Sequence, residues 1–162
     1  FKTGCSSEIH KTDDKIEKLI ADLNAEYSEN ISLTQQETAV IELAEIIDDQ
    51  NLYRLVQPYQ KGYWANAARV LKIIGFPRLH IVADLMMYWL RDMNWPGADI
   101  IFNIFLGVEE DDLLPVIERA LLNAERENDT VWICWLNRLI ERKEISDKLS
   151  ERFQLIMKKE DR

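Results

Sequence analysis

Glycine and proline are scarce in this chain, 5 and 4 among 162 residues. That scarcity disfavours a turn-rich all-β fold and favours helices joined by short connections. Cysteine is scarcer still. Cys5 and Cys134 form neither a disulfide framework nor a CxxC metal motif, and Cys134, set among apolar residues, is expected to be a buried thiol. No apolar run reaches the roughly 18–20 residues that would span a bilayer. Histidine is limited to His10 and His80, and neither stands at a recognisable spacing from a nucleophile and an acid. GxSxG, Walker A and GxGxxG sequences are missing. No cofactor is implied.

Acid exceeds base, 29 residues to 20, for a formal charge of −9. Such a chain repels phosphate backbones, which disfavours general nucleic-acid binding, and attracts basic partners. The excess is uneven. No basic residue lies between Arg91 and Arg119, while Asp92, Asp99, Glu109, Glu110, Asp111, Asp112 and Glu118 do. Four consecutive acids at a helix start splay apart rather than converge on a metal. Asp111 or Asp112 is therefore expected to cap a helix, with the others favouring its positive end. The wider window is also a surface on which a basic partner could dock.

Residues 1–12 read as a flexible polar tail. Gly4-Cys5-Ser6 faintly resembles a lipoprotein cleavage region, but Lys2 stands where such a signal wants an apolar residue. An ordinary tail and a cytoplasmic location are expected. Residues 13–162 read as one helical domain. Ile16, Leu19, Ile20 and Leu23 form an apolar stripe on a helix starting at Asp13 or Asp14 and ended by Ser28-Glu29-Asn30. Thr34 with Glu37 has capping-box spacing for a second helix carrying Val40, Leu43, Ala44 and Ile47. A short helix over 52–59 follows. Gly62-Tyr63-Trp64 opens the next, with Ala67, Ala68, Leu71 and Ile74 inward and Gly75 as its stop. Further helices are expected over 77–91 (Ile81, Leu85, Tyr88, Trp89), 95–106 (Ile101, Phe102, Phe105), 111–126 (Leu113, Leu114, Ile117, Leu121), 130–142 (Trp132, Trp135, Leu136, Leu139) and 146–158 (Leu149, Phe153, Ile156). No strand pattern is found.

The turn Asn94-Trp95-Pro96-Gly97 is the organising feature. Pro96 suits a first helical turn, and Gly97 lets a neighbouring helix approach closely. The helices pair at spacings of roughly thirty to forty residues, within the range of helical hairpin repeats. Single hairpins cannot bury both faces, so neighbours must stack. The chain carries 5 tryptophans, most expected in the core. Trp132 and Trp135 cannot both point inward beside Leu136 and Leu139, so at least one is expected to be partly exposed and available as an interface anchor.

Trp89-Leu90-Arg91-Asp92-Met93-Asn94-Trp95-Pro96-Gly97-Ala98, then Ile101 to Leu106, Leu113 to Leu121 and the Trp132, Trp135 pair, resemble a group of small bacterial proteins, domain-of-unknown-function family 5071. The resemblance covers roughly residues 85–139, within a family-like part of about 52–142. It implies an all-α, HEAT-like domain. Together with the hairpin spacing, the expected fold is a stack of antiparallel helical hairpins of right-handed α-solenoid type, with an N-terminal helical extension that rests on periodicity alone. The resemblance brings no activity and no catalytic residues. The expected function is a non-catalytic protein-binding module, most concretely an immunity or antitoxin protein masking a basic toxin domain. Its contacts would be drawn from Asp99, Glu109, Glu110, Asp111, Asp112, Glu118, Trp132 and Trp135. The competing readings are an enzyme with a carboxylate site, using Glu118 or Asp99 with a metal, and a regulatory scaffold.

Overall fold

The computed structural model describes residues 4–26 and 30–160, all of them helix or connection with no strand among them. The first helix, α1, runs over Gly4–Ala21, so the flexible tail expected over 1–12 is, from residue 4 on, helical. Hydrogen bonds between a residue and the one four before it are local and need no core. The helix can therefore run past its packed part, and Ser6 to Lys15 are all exposed. Burial begins at Ile16 and continues at Leu19, Ile20 and Leu23, the stripe expected. The helix stops before the expected Ser28-Glu29-Asn30, of which Ser28 and Glu29 lie outside the described residues.

Helix α2, Leu33–Ile46, starts with a capping box two residues earlier than Thr34 and Glu37. Gln35 N–H donates to Ser32 Oγ at 3.1 Å and Ser32 N–H to Gln35 Oε1 at 2.9 Å. Glu37 is thereby left to receive both arms of Arg69, at 2.7 and 2.8 Å. The helix expected over 52–59 is instead a 3₁₀ segment at Asp49–Leu55, with Gln57 and Tyr59 on either side of Pro58 at positive φ.

Helix α3, Trp64–Ile74, ends at Gly75, whose φ of +67° suits a residue without a side chain. The stretch over 77–91 is not one α-helix. It is a 3₁₀ segment, Arg78–Val82, then α4, Ala83–Tyr88, then a second 3₁₀ turn, Trp89–Arg91. A 3₁₀ helix turns about 20° more per residue than an α-helix, so the inward face is displaced along the sequence. Leu79, Val82, Ala83, Met86, Met87 and Leu90 are buried, while Ile81 and Leu85, expected inward, are 61% and 46% exposed.

Helix α5, Ala98–Leu106, is capped by Gly97 at φ +82°. Pro96 therefore sits in the turn before the helix rather than in its first turn. Its carbonyl accepts the Trp89 indole N–H at 2.9 Å. The close approach expected at Gly97 is real: a Cβ there would stand 2.8 Å from Ala68 Cβ and 2.9 Å from the Trp64 carbonyl. Trp64 meets Trp89 and Trp95 edge-on at 6.1 and 5.6 Å.

Helices α6, Glu110–Arg126, and α7, Thr130–Lys143, follow. The helix expected over 146–158 is divided into a 3₁₀ turn at Ser146–Lys148 and α8, Glu151–Met157. In space α1 packs on α2, α2 on α3, α3 on α5 and α5 on α7, while α4 packs on α6 and α6 on α8. The core runs unbroken from Ile16 to Ile156. Asn66 ties three segments together inside it, donating to the Leu23 carbonyl at 2.9 Å and to Gln36 Oε1 at 3.0 Å. No helix of the described residues is long and apolar enough to cross a membrane.

Candidate functional site

The acids that form a one-sign window in sequence do not form a one-sign surface. Glu109 is the N-terminal cap residue of α6, and neither its side chain nor those of Asp111 and Asp112 make the expected capping bond. The acids of this first turn instead favour the positive helix end through their charge alone. Glu110 is paired with Lys148, and Asp112 lies 3.7 Å from His80 Nε2. Just upstream, Lys143 Nζ donates to the Leu106 and Val108 carbonyls at 3.0 and 2.7 Å. Lys148 is thus the cation paired with the run, and Glu109 and Asp111 are its exposed acids with neither a cation nor a histidine within ion-pair distance among the described residues. Asp99 is exposed in the first turn of α5, and Glu118 is half-buried on α6. Among the described residues no three His, Cys, Asp or Glu side chains come together as a metal site.

The two tryptophans of α7 part company. Trp132 is fully buried, lying against Tyr88 at 4.7 Å and under the Arg91 guanidinium at 5.4 Å. Arg91 is fixed there by Glu127 at 3.0 Å and Asp129 at 2.9 Å, and Asp129 also caps α7 by accepting the Trp132 N–H. Trp132 therefore offers a partner no surface. Trp135 is half-buried, and with Val131, Cys134, Arg138, Glu141 and Arg142 it makes the outward face of α7.

That face borders an open groove of about 490 Å³ between α5 and α7, lined by Met93, Phe102, Cys134, Trp135, Arg138, Glu141 and Arg142. The fold assembles it from three places. The turn before α5 supplies Met93, α5 supplies the edge of Phe102, and α7 supplies the rest. Cys134, expected to be buried, is a half-exposed free thiol in the groove wall. Arg138 and Arg142 stand one helical turn apart, so their side chains share a face, and neither has an ion pair among the described residues.

A second groove, about 550 Å³, is lined by Val40, Arg69, Lys72, Ile73 and Ile100. Here the arginine is already engaged. The hydrogen bond from Arg69 holds the Glu37 carboxyl below its ordinary value, and the same bond raises Arg69. Reasoning from sequence singled out Trp135 but not the groove around it, because Cys134 was expected to be buried and Arg138 and Arg142 were not weighed. The legible signal was the spacing of Trp135, Arg138 and Arg142 on one face of α7.

No curated protein and no solved structure matches the chain. A family model described as Domain of unknown function (DUF5071) matches residues 65–162. The match reaches further in both directions than the resemblance over 85–139, taking in α8 as well as α5, α7 and all of α3 but its first residue. It spans more than half of the sequence, and the chain belongs to that family.

Proposed function

We propose that this chain is a non-catalytic protein-binding module, built as a HEAT-like stack of antiparallel helical hairpins of right-handed α-solenoid type. The order of contacts supports the stack. α2, α3, α5 and α7 are successive neighbours, and so are α4, α6 and α8, as in hairpins laid side by side. The observation that carries the binding role is the groove between α5 and α7. Its Trp, Phe, Met and Arg side chains are the types enriched at the centres of protein interfaces, and they surround an open concavity rather than a closed core.

The most concrete version of the role is an immunity or antitoxin protein that masks a bacterial toxin domain. A net charge of −9 over these residues supports it, since such a charge draws a basic domain at long range. Glu109 and Asp111 are the acids best placed to meet such a surface. Affinity capture with the full chain, followed by association kinetics at low and high salt, tests the proposal. A stoichiometric protein partner supports the module. A basic partner whose association slows as salt rises supports the immunity version. Capture of no stoichiometric partner contradicts the module, and an acidic partner contradicts the immunity version.

A further inference from the structure

We propose that the groove between α5 and α7 docks a partner segment that is both apolar and acidic. A bulky side chain of that segment sits against Met93, Phe102 and Trp135, and its carboxylate is held by Arg138 and Arg142. The inference rests on the protein-binding reading and specifies the site and the chemistry of what enters it.

The argument is one of charge complementarity. Acids outnumber bases by 29 to 20 in this chain, so an arginine has many carboxylates to meet. Accordingly Arg69 pairs with Glu37, Arg78 with Asp49, Arg91 with Glu127 and Asp129, and Arg119 with Asp84. Arg54, Arg126, Arg138, Arg142 and Arg152 have no ion pair among the described residues, and of these Arg138 and Arg142 are the two that line the groove walled by Met93, Phe102 and Trp135. Glu141 is the one acid among the lining residues, which leaves an excess of positive charge at the rim. Two arginines whose backbones are about 6 Å apart along the helix axis can bracket one carboxylate or hold two neighbouring ones, through charge-assisted and bidentate hydrogen bonds. The apolar floor beside them supplies the desolvated pocket in which such bonds strengthen. A basic segment would meet like charge here, and a nucleic acid would be repelled by the chain as a whole. The groove thus favours locally the opposite sign from the one that net charge favours at a distance.

Cys134 in the groove wall serves as a reporter. Random dodecapeptides displayed on phage are panned against the full chain carrying Cys5→Ser, which leaves Cys134 as the sole thiol. Enriched peptides are expected to place Asp or Glu beside Leu, Phe or Trp. A synthetic copy of the dominant peptide is expected to protect Cys134 from iodoacetamide and to bind about tenfold or more weaker to the Arg138→Glu, Arg142→Glu variant, the loss of one to two charge-assisted bonds. Should charge reversal disturb folding, as read by circular dichroism, Arg138→Gln with Arg142→Gln is expected to weaken binding in the same direction. Enrichment of basic peptides overturns the proposal, as does binding that leaves Cys134 reactive or is indifferent to both arginines. Enrichment of no peptide also overturns it, even where a partner has been captured. Basic peptides whose binding is lost in Glu109→Gln, Asp111→Asn would overturn the groove while leaving the protein-binding reading intact.

Discussion

The start of α6 and the groove between α5 and α7 are built in opposite ways. The first is contiguous in sequence, Glu109 to Asp112, and conspicuous there. Folding dilutes it, bringing Lys148 onto Glu110, His80 toward Asp112 and Lys143 onto the preceding carbonyls. The second is scattered from Met93 to Arg142 and inconspicuous, yet folding concentrates it. A run of like charge draws counter-charges from whatever element packs beside it. Two arginines without an ion pair, set against an apolar floor, are the better basis for the proposed docking than four consecutive acids.

The contrast between Trp132 and Trp135 is the sharpest part of this comparison. Trp132→Ala should cost about 3–5 kcal/mol, as expected for a fully buried aromatic. Trp135→Ala, at the groove wall, should cost less than half as much. Denaturant unfolding of the two variants checks this, and equal losses would return Trp135 to the core.

Next in size is Gly97, which sets α5 on α3 and so fixes one wall of the groove. Gly97→Leu adds a clash with Ala68 and the Trp64 carbonyl to the strain of positive φ. The loss should be about 2–4 kcal/mol from overpacking and left-handed backbone together. An unchanged unfolding midpoint would mean that α5 can shift without cost.

The acid run should matter less. Glu109→Gln and Asp111→Asn should each cost about 0.3–1 kcal/mol by weakening the favourable charge at the α6 start. Glu110→Gln, which breaks an exposed pair with Lys148, should cost about 0–1 kcal/mol. A loss of several kcal/mol at any of these acids would mean that the run is structural in a way its exposure does not suggest.

The smallest effect concerns the paired arginine of the second groove. Glu37 has its folded pKa lowered by Arg69 from an ordinary 4.5. Its stabilising contribution is therefore present above that value and lost as pH falls through the folded pKa. Glu37→Gln should flatten this acid limb in thermal melts taken across the acid range. A limb unchanged by the substitution would place its origin in other carboxylates.

Most of the core was legible in the sequence. The stripes through Ile16 and Leu23, Val40 and Leu43, Ala67 and Leu71, Leu113 and Ile117, and Leu136 and Leu139 are buried as their spacing implies. The close approach at Gly97 was legible for the same reason, that a local pattern and a packed contact coincided. What was not legible turns on geometry that spacing does not carry. The exposure of Ile81 and Leu85 follows from 3₁₀ winding between residues 78 and 82. The early start of α1 follows from local hydrogen bonding, which outruns any apolar stripe. The capping box at Ser32 and Gln35 competed with an equally plausible one two residues on, and pairing with Arg69, 32 positions away, claims Glu37. The groove depends on contacts between α5 and α7, and a single stretch carries only its α7 wall, the shared face of Trp135, Arg138 and Arg142.

The most direct measurement is hydrogen–deuterium exchange of the full chain with and without its captured partner. Docking in the groove predicts slowed exchange around Met93 and over residues 134–142, with residues 108–112 unchanged. Slowed exchange over residues 108–112 with residues 134–142 unaffected would contradict it, and would make the acid run the binding surface after all.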